Sequence, residues 1–109
     1  MTVSIVSHGQ LALILPLLEQ LERYSAKLID RVVLTINVPE DDVLAGLSWR
    51  FALERVCNQS PLGFGANHNR AFAHCRSPWF LVINPDVRLA RDVLGPLTAA
   101  AHARSGLLA

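Results

Sequence analysis

The tripeptide Asn84-Pro85-Asp86 sets a carboxylate near an amide oxygen, with a proline between them to hold the turn. Magnesium and manganese prefer hard oxygen ligands, and commonly take one or two carboxylates before completing their shell with phosphate oxygens. Asp86 is therefore the candidate metal ligand, with Asn84 beside it. The plainer alternative is an Asp that caps the turn into Val87-Arg88. Upstream, Gly63-Phe64-Gly65-Ala66-Asn67-His68-Asn69 combines glycines with the start of a helix. Glycines let a backbone approach a ligand closely, and free amides at a helix start face a negative group. A tight strand-to-helix turn would use the same residues. Asp86 also lies about twenty residues past the glycines, as in a dinucleotide-binding fingerprint. Against that reading, His68 stands where the third glycine belongs, the segment follows the third predicted strand, and Asp86 comes after a proline.

Little other chemistry is spelled out. His8, His68, His74 and His102 show no ligand spacing; His102 reads as a surface group, and His74-Cys75 as the end of a helix. Trp49 and Trp79 suit a core better than a stacking platform, although Trp49, in a loop, could serve as either. No Ser-His-Asp order or acid–base carboxylate pair stands out. Cys57 and Cys75 form no C-x-x-C pair, which argues against zinc and for two free thiols in a reducing compartment.

Positioning these groups requires elements, and hydrophobic patterning supplies them. Val3–Val6, Val32–Ile36 and Trp79–Ile83 are nearly continuous apolar runs, as strands covered on both faces should be. Phe51–Val56 is a weaker strand, interrupted by Glu54 and Arg55. Leu11, Ile14, Leu15, Leu18 and Leu21 recur at helical spacing, with Pro16 best accommodated in or near the first turn. A second helix is predicted from Gly65 to about Cys75, burying Ala66, Ala71 and Phe72, and a third from near Asp92 to Arg104. Pro39–Ser48 is the longest irregular stretch. Ser105-Gly106 reads as a helix stop, and Leu107-Leu108-Ala109 as the start of a fifth strand, with a disordered tail as the alternative.

Strands alternating with helices argue for an α/β three-layer sandwich with a mainly parallel sheet. Right-handed crossovers favour the order 3-2-1-4. Ser7-His8-Gly9, Asn37, Asn58 and Asn84-Pro85-Asp86 then follow the four strands in turn. In an open parallel sheet all four sets project from the carboxyl edge, where such folds bind ligands.

Composition bounds the reading. The chain has 109 residues, 51% hydrophobic and 17% charged, with a formal net charge of +1. One globular domain fits; disorder and a nucleic-acid partner do not. The N-terminus lacks the cationic region of a signal peptide. The run Leu11–Leu18 is broken by Pro16 and falls short of the ~20 residues that span a bilayer. No transmembrane segment and a cytoplasmic location are the expectation.

Taken together, Val3-Ser4-Ile5-Val6-Ser7-His8-Gly9, Pro61 through Phe72 and Phe80 through Leu89 resemble the family 2 glycosyltransferases in order and spacing. The resemblance implies a nucleotide-diphospho-sugar transferase-like fold of the glycosyltransferase A type, and a role in polysaccharide biosynthesis. It implies that residues 1–109 bind the nucleotide-diphosphate sugar, UDP- or dTDP-linked, as the donor half of an inverting transferase. Asn84-Pro85-Asp86 takes the place of the family's Asp-x-Asp, putting Asp86 on a Mg2+ or Mn2+ ion that bridges the diphosphate. Asn58, Gly63, Phe64, Gly65, Asn67 and Asn69 would line the nucleotide and sugar, and Ser7, His8 and Asn37 the base and ribose.

The chain departs from the family pattern in three places. Ile36 stands where an Asp often precedes the Asn after the second strand, and Asn84 replaces the first acid of Asp-x-Asp. The resemblance also calls for a half that binds the acceptor and supplies the base for inversion, which residues 1–109 are not expected to include, since Asp92 is too close to Asp86 to act as that base. The expectation is an incomplete glycosyltransferase domain, inactive alone, whose uncovered apolar surface drives self-association. The rival is a non-catalytic nucleotide-binding or assembly module on the same half-fold.

Overall fold

A computed structural model describes residues 1–104, with side chains through Ala99. Among the described residues four strands form one sheet: β1 (Thr2–Ser7), β2 (Arg31–Ile36), β3 (Ala52–Cys57) and β4 (Phe80–Val82). All pair in parallel, in the order β3-β2-β1-β4. Three helices connect and follow them: α1 (Leu11–Ser25), α2 (Phe64–Phe72) and α3 (Leu94–Arg104), with a 3-10 turn at Ala26–Leu28. The α/β class, the parallel sheet and the strand order agree with the sequence-based expectation.

Alternation along β1 and β2 sends successive side chains to opposite faces. Val3, Ile5, Val32 and Leu34 share one apolar cluster with Ile14, Leu17, Leu18 and Leu21 of α1. Each such leucine, withdrawn from water, stabilises the fold by roughly 1.5–3 kcal/mol. The other face carries Ser4, which meets His68 of α2. The helices α1 and α2 therefore lie on opposite sides, giving a three-layer α/β/α arrangement. The layers are unequal: the α1 side is hydrocarbon, whereas the α2 side buries Thr2, Ser4, Thr35, Asn67 and His68 beside Val33 and Ala71.

The expected burial of α2 needs correction for that reason. The helix starts at Phe64 and buries Asn67, His68 and Ala71. Ala66 and Phe72 are exposed, and the Phe72 ring stands edge-on to Phe80 at 5.1 Å. The helix turns a polar stripe inward because the strand face beneath it offers a serine hydroxyl. Pro16 is also deeper than expected, inside α1 beyond the first turn. It removes one backbone donor there, and Arg88 Nη2 donates to the adjacent Leu13 carbonyl at 2.8 Å.

The weak third strand is real and is an edge strand, where charges are tolerated and discourage stray pairing. Glu54 pairs with Arg31 at 2.6 Å and with His74 at 2.8 Å, and Arg55 with Asp42 at 2.9 Å. The irregular stretch after β2 is anchored by Leu44, which is fully buried. Trp49 stacks on Phe51 at 5.9 Å, and both Trp49 and Trp79 pack against the core, as expected. The side chain of His102 and the expected stop and fifth strand at Ser105–Ala109 lie outside the described residues. Among those described, no helix is long and apolar enough to cross a membrane.

Candidate functional site

The ladder runs one step past the strands. Asn37 N donates to the Ser7 carbonyl at 2.8 Å, and Asn58 N to the Ile36 carbonyl at 3.0 Å. Asn37 and Asn58 thus stand side by side at the carboxyl edge. Ile83 N donates to the Ser4 carbonyl at 3.0 Å, which brings Asn84 to the same edge beyond β4.

A cleft of about 490 Å³ opens there. Val6 and Ile83 contribute apolar surface from the strand ends, with His8, Gln10 and Asn37 following β1 and β2. Leu62, Phe64, Asn67 and His68 belong to α2 and its approach, and Asn84, Pro85 and Asp86 follow β4. No lysine or arginine is among these residues, and Asp86 is the one carboxylate.

Asp86 lies in the Asn84–Val87 turn, closed by a 3.1 Å bond from Val87 N to the Asn84 carbonyl. Its exposed side chain makes no hydrogen bond or ion pair among the described residues. Asp86 therefore does not cap the turn, and its carboxylate is available to the cleft. No group of three or more His, Cys, Asp or Glu side chains able to hold a metal ion exists among the described residues. A cation at Asp86 would have to complete its shell from a ligand's oxygens and water, a habit of Mg2+ and Mn2+.

The asparagines are engaged otherwise. Asn37 Oδ1 accepts from Leu62 N at 2.8 Å and from Asn58 Nδ2 at 2.9 Å. Asn37 Nδ2 donates to the Leu62 carbonyl at 3.1 Å and faces His8 Nδ1 at 3.0 Å. Asn58 Nδ2 also donates to Asn67 Oδ1 at 2.8 Å, and Arg70 donates to Asn58 Oδ1. Asn67 Nδ2 closes the circuit on the Leu62 carbonyl at 3.2 Å. Asn37 has its full set of hydrogen bonds, Asn58 and Asn67 are tied to it and to the Leu62 carbonyl, and together they hold the approach to α2.

His68 is buried, with Nδ1 2.7 Å from Ser4 Oγ, and its ring meets Phe64 edge-on at 4.4 Å. Burial pushes its pKa down, so the ring is neutral at physiological pH. The first bond of α2 runs from Asn67 N to the Gly63 carbonyl at 3.1 Å. The N–H groups of Phe64, Gly65 and Ala66 precede it and find no acceptor among the described residues. A Cβ built on Gly63 or Gly65 would meet nothing within 4 Å. Neither glycine is demanded by the chain's own packing.

His8, Asn37, Phe64, Asn67, Asn84 and Asp86 are thus brought to one cleft. Asn58 lines an adjoining hollow of about 360 Å³ with Arg70. Ser7 is buried and donates to Glu40 Oε2 at 2.7 Å, away from the cleft lining. Gly63 and Gly65 flank the cleft along the chain, and Asn69 is exposed on α2 outside its lining. Gln10 and Glu40 carry no signal in the sequence, and His68 stands out there only as a member of the Gly63–Asn69 segment. Ser4, a hydroxyl in an otherwise apolar run, was the available sign of a buried polar partner.

Comparison with known proteins adds no relative: no family model matches the chain, and neither a curated protein nor a solved structure matches it significantly.

Proposed function

We propose that the cleft binds the diphosphate of a nucleotide sugar through a divalent cation on Asp86, as the donor region of an inverting, family 2-like glycosyltransferase. The observation that carries this reading is the uncommitted Asp86 carboxylate in a cleft lined also by Phe64, at the start of α2, and by no basic side chain. A diphosphate entering such a cleft meets a negative charge. Binding therefore needs a Mg2+ or Mn2+ ion to reverse the sign, and the ion would also stabilise the departing diphosphate. The open space above Gly63 and Gly65 leaves the start of α2 accessible to an anionic group.

Calorimetric titration with UDP and dTDP, with and without Mn2+, tests the reading. Binding is expected only with the metal. Asp86→Ala should abolish it, Asp86→Asn should weaken it severely by removing the charge, and Asn84→Ala should do less. Gly65→Ala separates fold from site: it should stabilise the helix by about 0.5–1 kcal/mol while weakening nucleotide binding. Metal-independent binding, or wild-type affinity in Asp86→Ala, would refute the assignment.

A second reading rests on a separate observation. An apolar groove of about 580 Å³ follows the side of β4 that has no partner strand among the described residues, lined by Leu81, Val82, Val87, Val93 and Leu97 among others. It supports an assembly module in which a second copy of the chain covers this edge. Sedimentation should then show concentration-dependent dimerisation that Leu97→Lys abolishes; a monomer at all concentrations would dismiss it.

A further inference from the structure

The hydrogen-bond circuit around Asn37 determines more than the shape of the cleft. Amide orientation and imidazole tautomer must be assigned from networks, and here the network has two fixed ends. Leu62 N–H can only donate, so the atom that receives it at 2.8 Å is Asn37 Oδ1. The Arg70 guanidinium can only donate, so Asn58 turns Oδ1 toward it and Nδ2 toward Asn37 Oδ1. Both ends give the same orientation of Asn37, with Nδ2 directed to His8 Nδ1 at 3.0 Å. A nitrogen that receives an N–H must present its lone pair, so the neutral His8 ring carries its proton on Nε2. Nε2 has no partner among the described residues, and His8 lines the cleft.

We propose that Asn37 is a positioning residue that locks His8 as an Nε2–H donor, so that the cleft selects, beside His8, a ligand atom that accepts a hydrogen bond. His8 leans toward Asn37 beyond β2, on the side of β1 away from β4 and Asp86. In the nucleotide-sugar reading, in which the resemblance already sets His8 at the base and ribose, a base carbonyl or sugar oxygen fits this donor. The ligand half of this inference rests on the nucleotide-sugar reading; the tautomer does not.

The two halves are tested separately. Long-range proton–nitrogen correlation NMR on the 15N-labelled chain without nucleotide should show His8 as the Nε2–H tautomer. In Asn37→Asp the partner becomes an acceptor, and the proton should move to Nδ1 or the ring should become an imidazolium. A wild-type His8 protonated on Nδ1, or exchanging between tautomers, overturns the lock even if Asn37→Asp fails to fold. For the ligand half, titration with UDP and Mn2+ should show about a tenfold loss in His8→Ala and partial recovery in His8→Gln, which restores an N–H. Pyrophosphate with Mn2+ should bind His8→Ala and wild type alike. Equal affinity of His8→Ala and wild type for UDP, or no UDP binding by either, overturns the ligand half and leaves the tautomer result standing.

Discussion

At the scale of single residues, the site separates side chains that face a ligand from side chains that hold others in place. Asn37 makes every hydrogen bond its amide can make, two accepted and two donated. Asn37→Ala leaves Leu62 N and the amide of Asn58 short of partners. It should cost about 2–3 kcal/mol in denaturant unfolding, whereas Asn69→Ala, on an exposed surface, should cost almost nothing. His68 makes a second prediction. Its pKa is lowered by burial, so the folded state binds a proton less readily than the unfolded chain. Its share of stability is fully present above the unfolded value of about 6.5 and is lost as pH falls through the lower folded value. Unfolding of wild type and His68→Gln, compared between pH 8 and 5, should show a steeper acid loss in the wild type. Parallel curves would mean that the ring is not protected from protonation.

At the scale of elements, two helices are capped from outside their own first turn. Gln10 precedes α1 and gives it no side-chain cap. Glu40, far along the chain, accepts from Leu11 N at 2.9 Å, Gly9 N at 3.0 Å and the Ser7 hydroxyl. Gly9 takes a φ of +76°, which a side chain there would strain. The cap ties α1 to the loop after β2 and keeps Ser7 out of the cleft. Helix α3 begins under Asp92, whose Oδ1 accepts from Leu94 N and Gly95 N at 3.1 Å and from Ser25 Oγ at 2.9 Å. The Gly95 N–H foremost, with Ser25 and Leu94, holds the Asp92 carboxyl below its usual range against the opposing effect of burial. A Cβ on Gly95 would lie 2.7 Å from Asp92 Oδ2. Gly95→Ala should therefore lower stability by about 1 kcal/mol, although alanine is the better helix former. Thermal unfolding checks the sign: a more stable variant would show that the cap can shift without loss.

At the scale of the whole molecule, the sheet divides an apolar half from a polar one. The α1 side is a leucine-rich core continuous with β1 and β2, while the α2 side depends on hydroxyl, imidazole and amide contacts. Local opening draws on the region with the least apolar burial. Amide hydrogen exchange should therefore proceed through opening of α2 and its approach well before β1, β2 and α1. Uniform protection across both layers would contradict this division.

The sequence by itself determined the class and the order of the sheet. Continuous runs such as Val3–Val6 and Val32–Ile36 have little choice but a doubly covered parallel strand, and the periodicity of Leu11 through Leu21 is a local property of the chain. It also brought His8, Asn37, Asn84 and Asp86 to one edge, because a strand's last residues must lie at its carboxyl end. Only the tertiary structure decided which of these side chains remain free. Asn37, Asn58 and Asn67 are alike in sequence to Asn84, yet contacts across three elements tie their amides to one another and leave Asp86 uncommitted. The inward stripe of α2 and the capping of α1 by Glu40 were likewise invisible, because each joins residues distant along the chain. Patterning reports how much water a segment avoids; the direction of a hydrogen bond depends on what the fold sets opposite it.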